Sequence, residues 1–221
     1  MTTVADCQKL VACPKVSKAQ EPNNRGTCWL ARLIYVIDAD TIVVARYVDE
    51  RLQREKVRIT LIDAGEVKHE TAERKVTPYE QALGSVTKNY ILNRLSPDDF
   101  GISTSDKYKD MAQKKVFDRK PVIVKVDCPM TDSKGKEIDL DRYGRNLAAV
   151  TVTQIGATEV DWDIAQDLLE KCLVDKYEGE TKVRSFMRTT AFLDPLKTIL
   201  GTGIIAQLKT LYSQLTDDEK V

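Results

Sequence analysis

From Cys28 onward, apolar and β-branched residues come in short runs that break at turn-forming residues. Residues 29–37, 41–48 and 56–62 are three such runs, rich in Val, Ile and aromatic side chains, and they predict strands. Asp38-Ala39-Asp40 and Val48-Asp49-Glu50 separate them and read as tight turns, so the three strands make a meander. The period then changes. Over residues 78–95, Leu83, Val86, Tyr90, Ile91 and Leu95 recur at helical spacing. Pro78 suits the first turn of that helix, where its missing N–H has no partner to lose.

Residues 96–120 are polar and of mixed charge, the pattern of a solvated loop with a short helix. Lys107, Lys109, Lys114, Lys115, Arg119 and Lys120 give this insertion cations suited to a nucleic-acid backbone. Residues 121–126 and 144–152 predict two more strands. Residues 162–174 predict an amphipathic helix with Ile164, Leu168, Leu169 and Cys172 on one face. The expected class is therefore α+β and mainly β. Its order, three strands, helix, two strands, helix, fits a five-stranded OB-type barrel with helices packed on it.

Three segments follow from this: an irregular leader over 1–27, a barrel domain over 28–183 that contains the insertion, and a C-terminal helical extension over 184–221. In the extension, Gly201 and Gly203 divide two helices, and Ile204, Ile205, Leu208 and Leu211 form an apolar stripe. Such a stripe must be covered, by the barrel, by a second copy or by a protein partner. The extension is thus expected to serve packing or self-association rather than chemistry.

Composition narrows the class of function. Lys plus Arg and Asp plus Glu balance at 34 each, so the chain lacks the basic excess of a duplex binder that works by charge alone. An enzyme needs only a few cations at one place, and the balance leaves that open. The five cysteines are odd in number and show no CxxC or Cys/His spacing, which points to reduced thiols and away from zinc. Residues 1–6 lack the features of a secretory signal, and no apolar stretch approaches the ~18 residues of a membrane span. The expected setting is intracellular and cytoplasmic, with no membrane partner; a virion component is equally compatible.

The candidate chemistry lies in three short segments. Asp63-Ala64-Gly65-Glu66 follows the third strand, which carries Arg58. Asp38-Ala39-Asp40-Thr41 lies upstream and Asp141-Arg142-Tyr143-Gly144-Arg145 far downstream. Carboxylates for a hard cation, a further Glu and two guanidinium forks are the parts that phosphodiester hydrolysis needs. Each segment alone is a common pattern; their joint occurrence in this order is the signal.

Together the segments resemble the staphylococcal (thermo)nuclease-like family, calcium-dependent nucleases on an OB-type barrel. The resemblance covers roughly residues 28–183. It implies a metal-dependent endonuclease that hydrolyses DNA and RNA, preferably single-stranded, with little sequence specificity and 3′-phosphate products. It implies Asp40, Asp63 and the Ala64 carbonyl as ligands of Ca2+ (the donor types also suit Mg2+), with Thr41 supporting the site. Glu66 is implied as general base or as the group that orients the attacking water. Arg58 and Arg145 are implied as catalytic phosphate clamps, and Tyr143 and Tyr177 as substrate contacts. The chain departs from the family at Ala39, where Gly is usual, and at Ala64-Gly65, where Thr-Pro is usual. Gly65 is expected to give the loop before Glu66 more backbone freedom. His69, the one histidine, reads as a loop residue. Two further readings stand beside the nuclease: an OB-type module that binds nucleic acid without chemistry, and a structural or virion assembly component with a nuclease-like fold.

Overall fold

The computed structural model of the chain describes residues 4–12, 16–18, 26–48, 51–68, 75–131, 140–141, 143–177 and 189–220. His69 lies outside them. The chain falls into two compact units, one of residues 1–60 and 110–165, the other of 61–109 and 166–221.

The first unit is built on a seven-stranded sheet. Its strands are β1 (Val16–Lys18), β2 (Thr27–Asp38), β3 (Thr41–Val48), β4 (Arg51–Ile59), β6 (Val122–Cys128), β7 (Asn146–Ile155) and β8 (Thr158–Asp163). The order is β1-β4-β3-β2-β6-β7-β8, and a further parallel pairing joins β4 to β7. The ladder β4-β3-β2-β6-β7 thus returns to β4. Val36, Ile42, Val44, Val57, Val124, Val126, Ala148, Val150 and Val152 are all fully buried. The β-branched residues that predicted the strands are those that fill this core.

Several expected elements differ in place or kind. The leader contains α1 (Val4–Ala12), whose Leu10 is buried among Ile34, Val43, Ala45, Leu52 and Ile123. Its helical spacing is only two turns long, too short to stand out in the sequence. The third strand starts earlier than expected and ends at Ile59, and the chain breaks where Leu61 takes φ 68. A left-handed residue cannot continue a pleated strand. Trp162 belongs to β8 rather than to a helix, and α4 (Ile164–Glu170) is correspondingly shorter.

The insertion is only partly a solvated loop. Its second half forms α3 (Asp110–Arg119), which carries a buried amide to β2. Strand β2 extends past its last partner on β6, Ile123 opposite Arg32. At Val36, the Gln113 side chain takes the missing strand's role: Val36 N–H donates to Oε1 at 2.8 Å, and Nε2 donates to the Val36 carbonyl at 3.0 Å. Gln113 is fully buried. Gln113→Leu removes both partners at once, and each buried backbone group left unpaired costs ~1–3 kcal/mol. The expected loss is about 2–4 kcal/mol in chemical denaturation. A loss below about 0.5 kcal/mol would show that Val36 finds other partners.

The second unit contains α2 (Pro78–Leu95), the short pair β5 (Ile62–Asp63) and β9 (Asp175–Lys176), and a tail with α5 (Lys197–Leu200) and α6 (Thr202–Ser213). Helix α2 is buried on nearly every side, which explains its polar as well as apolar burial. Residues 96–109 strap it: Lys88 pairs with Asp106 at 2.9 Å, and the Asn89 amide donates to the Ser103 and Ser105 carbonyls. Burial alone would raise the Asp106 carboxyl, but hydrogen bonds from Lys88 and Lys109 outweigh it and hold it below the usual range.

In the tail, Leu193, Leu196, Leu200 and Leu215 are buried; of the expected stripe, Ile205 and Leu208 are buried while Ile204 and Leu211 are half-buried. Tyr212 on α6 meets Tyr79 edge-on at 5.2 Å. Among the described residues no helix is long and apolar enough to cross a membrane.

Candidate functional site

In the first unit the site begins at the β2–β3 turn. Asp38 pairs with Thr41, leaving Ala39 and Asp40 as the two turn residues. Neither has a positive φ. Ala39 is fully buried, so a side chain at this position meets no backbone penalty and glycine is not required. Ile59 N–H donates to the Asp40 carbonyl at 2.7 Å, which fixes the turn against the end of β4. Arg58 is paired across the ladder with Thr41.

The Asp40 carboxylate is held at both oxygens. Oδ2 forms an ion pair with Arg58 Nη1, and Oδ1 accepts from the Thr41 hydroxyl at 3.0 Å. Asp40, Thr41 and Arg58 are all buried.

Arg145 reaches the same hydroxyl from far along the chain. The parallel register of β4 and β7 sets Val57 opposite Asn146 and Arg58 opposite Leu147, which brings the start of β7 beside Arg58. Arg145 Nη1 then donates to Thr41 Oγ1 at 3.0 Å. Asp141 orients the guanidinium, accepting from its Nε at 2.6 Å and pairing with its Nη2. The other Asp141 oxygen accepts the Tyr143 and Arg145 backbone N–H groups, each at 2.9 Å. Gly144 closes this turn at φ 74, a left-handed conformation that favours glycine. Tyr143 is exposed, with the Arg145 guanidinium 5.1 Å from its ring centre.

Two acids and two arginines thus form one chain of contacts, Asp141–Arg145–Thr41–Asp40–Arg58. Asp141 had no role assigned from sequence. The spacing of an acid four residues before Arg145, across a Gly turn, is the signal that finds it.

In the second unit, Asp63 ends β5 opposite Asp175 of β9, and both Asp63 and Ala64 are buried. Tyr177 follows β9, and its N–H donates to the Leu61 carbonyl at 2.8 Å. Glu66 is half-buried. Gly65 does not loosen this loop as its sequence suggests. A Cβ on Gly65 would lie 2.9 Å from the Glu80 carbonyl oxygen, and one on Gly84 would lie 2.2 Å from the Gly65 carbonyl oxygen. Loop and helix touch backbone to backbone, and only a pair of glycines permits it.

The donor types fit a hard cation: aspartate oxygens and the Ala64 carbonyl suit Ca2+ or Mg2+. Among the described residues, however, no three His, Cys, Asp or Glu side chains gather as a ligand group. A cation on Asp40 also competes with Arg58 for the same carboxylate. No protein-family model matches the sequence, and neither does any curated protein.

Proposed function

We propose that this protein is a metal-dependent nuclease that hydrolyses phosphodiester bonds of single-stranded DNA and RNA with little sequence specificity. What carries the reading is the array around Thr41, where Arg58 and Arg145 stand as two charged forks on one hydrogen-bonded network. The returning ladder β4-β3-β2-β6-β7 is read here as an OB-type barrel.

In this reading the groups that would serve Ca2+ are Asp40 and Thr41 of the first unit, and Asp63 and the Ala64 carbonyl of the second. When bound, the cation supplies Lewis-acid polarisation of a phosphate oxygen. Arg58 and Arg145 exchange part of their carboxylate contact for the phosphate, whose equatorial oxygens gain charge toward the transition state. Asp141 keeps Arg145 oriented during that exchange. Glu66 accepts the proton of the attacking water as the new P–O bond forms and the bond to the 5′-oxygen breaks; the 5′-oxygen takes up a proton from solvent, and the phosphate stays on the 3′ side. Tyr143 and Tyr177 contact the phosphate and the nucleoside.

Digestion of 5′-labelled single-stranded DNA and RNA tests this directly. Cleavage is expected with added Ca2+ and is expected to stop in excess chelator, with products whose mobility shifts after phosphatase treatment. Unchanged cleavage in chelator would remove the metal from the mechanism. Strand binding without cleavage under any divalent cation would favour a binding module instead.

A further inference from the structure

We infer that the first turns of α2 form a clamp that positions Glu66, with Glu80 and Gln81 as its positioning residues. The inference rests on the role given to Glu66 above. Thr77 caps α2 by accepting the Glu80 N–H at 3.1 Å, and the Thr77-x-x-Glu80 spacing is that of a reciprocal cap. The Glu80 carboxylate reaches the loop: Oε1 accepts the Glu66 N–H at 3.4 Å. The next side chain, Gln81, donates from Nε2 to the Val67 carbonyl at 3.1 Å.

The backbone is therefore gripped on both sides of Glu66, once at its own N–H and once at the carbonyl of the following residue. Gly65 and Gly84 supply a third point by packing backbone on backbone. Glu80 is fully buried, an expensive place for a carboxylate unless its contacts matter to the fold or to the loop. A loop that begins with Ala64-Gly65 has wide conformational freedom of its own. A general base, by contrast, must stay within hydrogen-bond reach of one water. The clamp reconciles the two. It replaces the stiffness that a proline would give with contacts from a buried helix.

Amide hydrogen exchange on the full chain, with steady-state kinetics, separates this role from plain stability. Glu80→Leu removes the acceptor, and Glu80→Gln keeps one in nearly the same shape. In Glu80→Leu the Glu66 amide is expected to exchange at least about tenfold faster while amides in the middle of α2 stay unchanged. Glu80→Gln is expected to remain near the unaltered protein. The loosened loop is expected to lower kcat about tenfold or more at unchanged KM. If Glu80→Leu fails to fold, the half-buried Gln81→Met gives the same readouts. Unchanged exchange at Glu66 in a folded variant overturns the clamp, and faster exchange with unchanged kcat overturns its catalytic role. Absence of cleavage by the unaltered protein is a failure of the nuclease reading, visible before any variant is made.

Discussion

Arg145→Lys is expected to lower turnover on single-stranded DNA by about 10²-fold or more while the protein stays folded. The charge survives the change, but the fork does not. Arg145 addresses two acceptors on different residues: Nε and Nη2 face Asp141, and Nη1 faces Thr41. A lysine offers one nitrogen and cannot hold Asp141 as an anchor while presenting a planar pair of donors to phosphate. Circular dichroism should show an intact fold, because Asp141 still receives the Tyr143 and residue-145 backbone N–H groups. Full turnover in a folded Arg145→Lys variant would make Arg145 a turn-stabilising residue and remove the phosphate clamp.

The largest loss of stability is expected from Arg46→Met. Glu55 is 1% exposed, and its carboxylate pairs with Arg46 Nε at 2.7 Å. The Arg46 guanidinium also lies 5.2 Å from the centre of the Trp29 ring. Removing the arginine takes the guanidinium away from this buried carboxylate, and breaking such a buried pair typically costs ~3–5 kcal/mol. The surroundings are apolar enough that burial pushes the nearby Cys128 thiol up to about 12, with Glu55 and Asp127 adding to it. The double variant Arg46→Met/Glu55→Leu should recover most of the loss, since it removes the buried carboxylate along with the arginine. Denaturant titration of the two variants decides the matter. A single-variant loss below about 1 kcal/mol would show that Glu55 is neutralised by another route.

The parts of the fold that were legible are those set by local period. Strand β3 starts and ends at the expected residues, and α2 spans Pro78–Leu95 as its spacing predicts. The Asp38–Thr41 turn was legible because a polar pair interrupts two apolar runs. The end of β4 was misplaced because Leu61 is apolar like its neighbours, and its left-handed φ leaves no mark in a hydrophobic pattern. Strand β8 was hidden for a related reason: with Thr158, Glu159 and Asp161 exposed, only Trp162 is buried.

The sequence by itself determined the α+β class, the turn that carries Asp40, the buried helix α2 and the short spacing from Asp63 to Glu66. Each of these depends on residues within a few positions of one another, where sterics and the strand or helix period act directly. Only the tertiary structure decided the partners. The parallel register of β4 on β7 brings Arg145 to Thr41 across 104 residues, and Gln113 completes β2 across 77. The Gly65–Gly84 contact gave a glycine that read as slack the opposite role. Local patterns state which face of a strand or helix is apolar, but not which distant face will cover it. That choice is made by the packing of the whole core, where many side chains and hydrogen bonds must be satisfied at once.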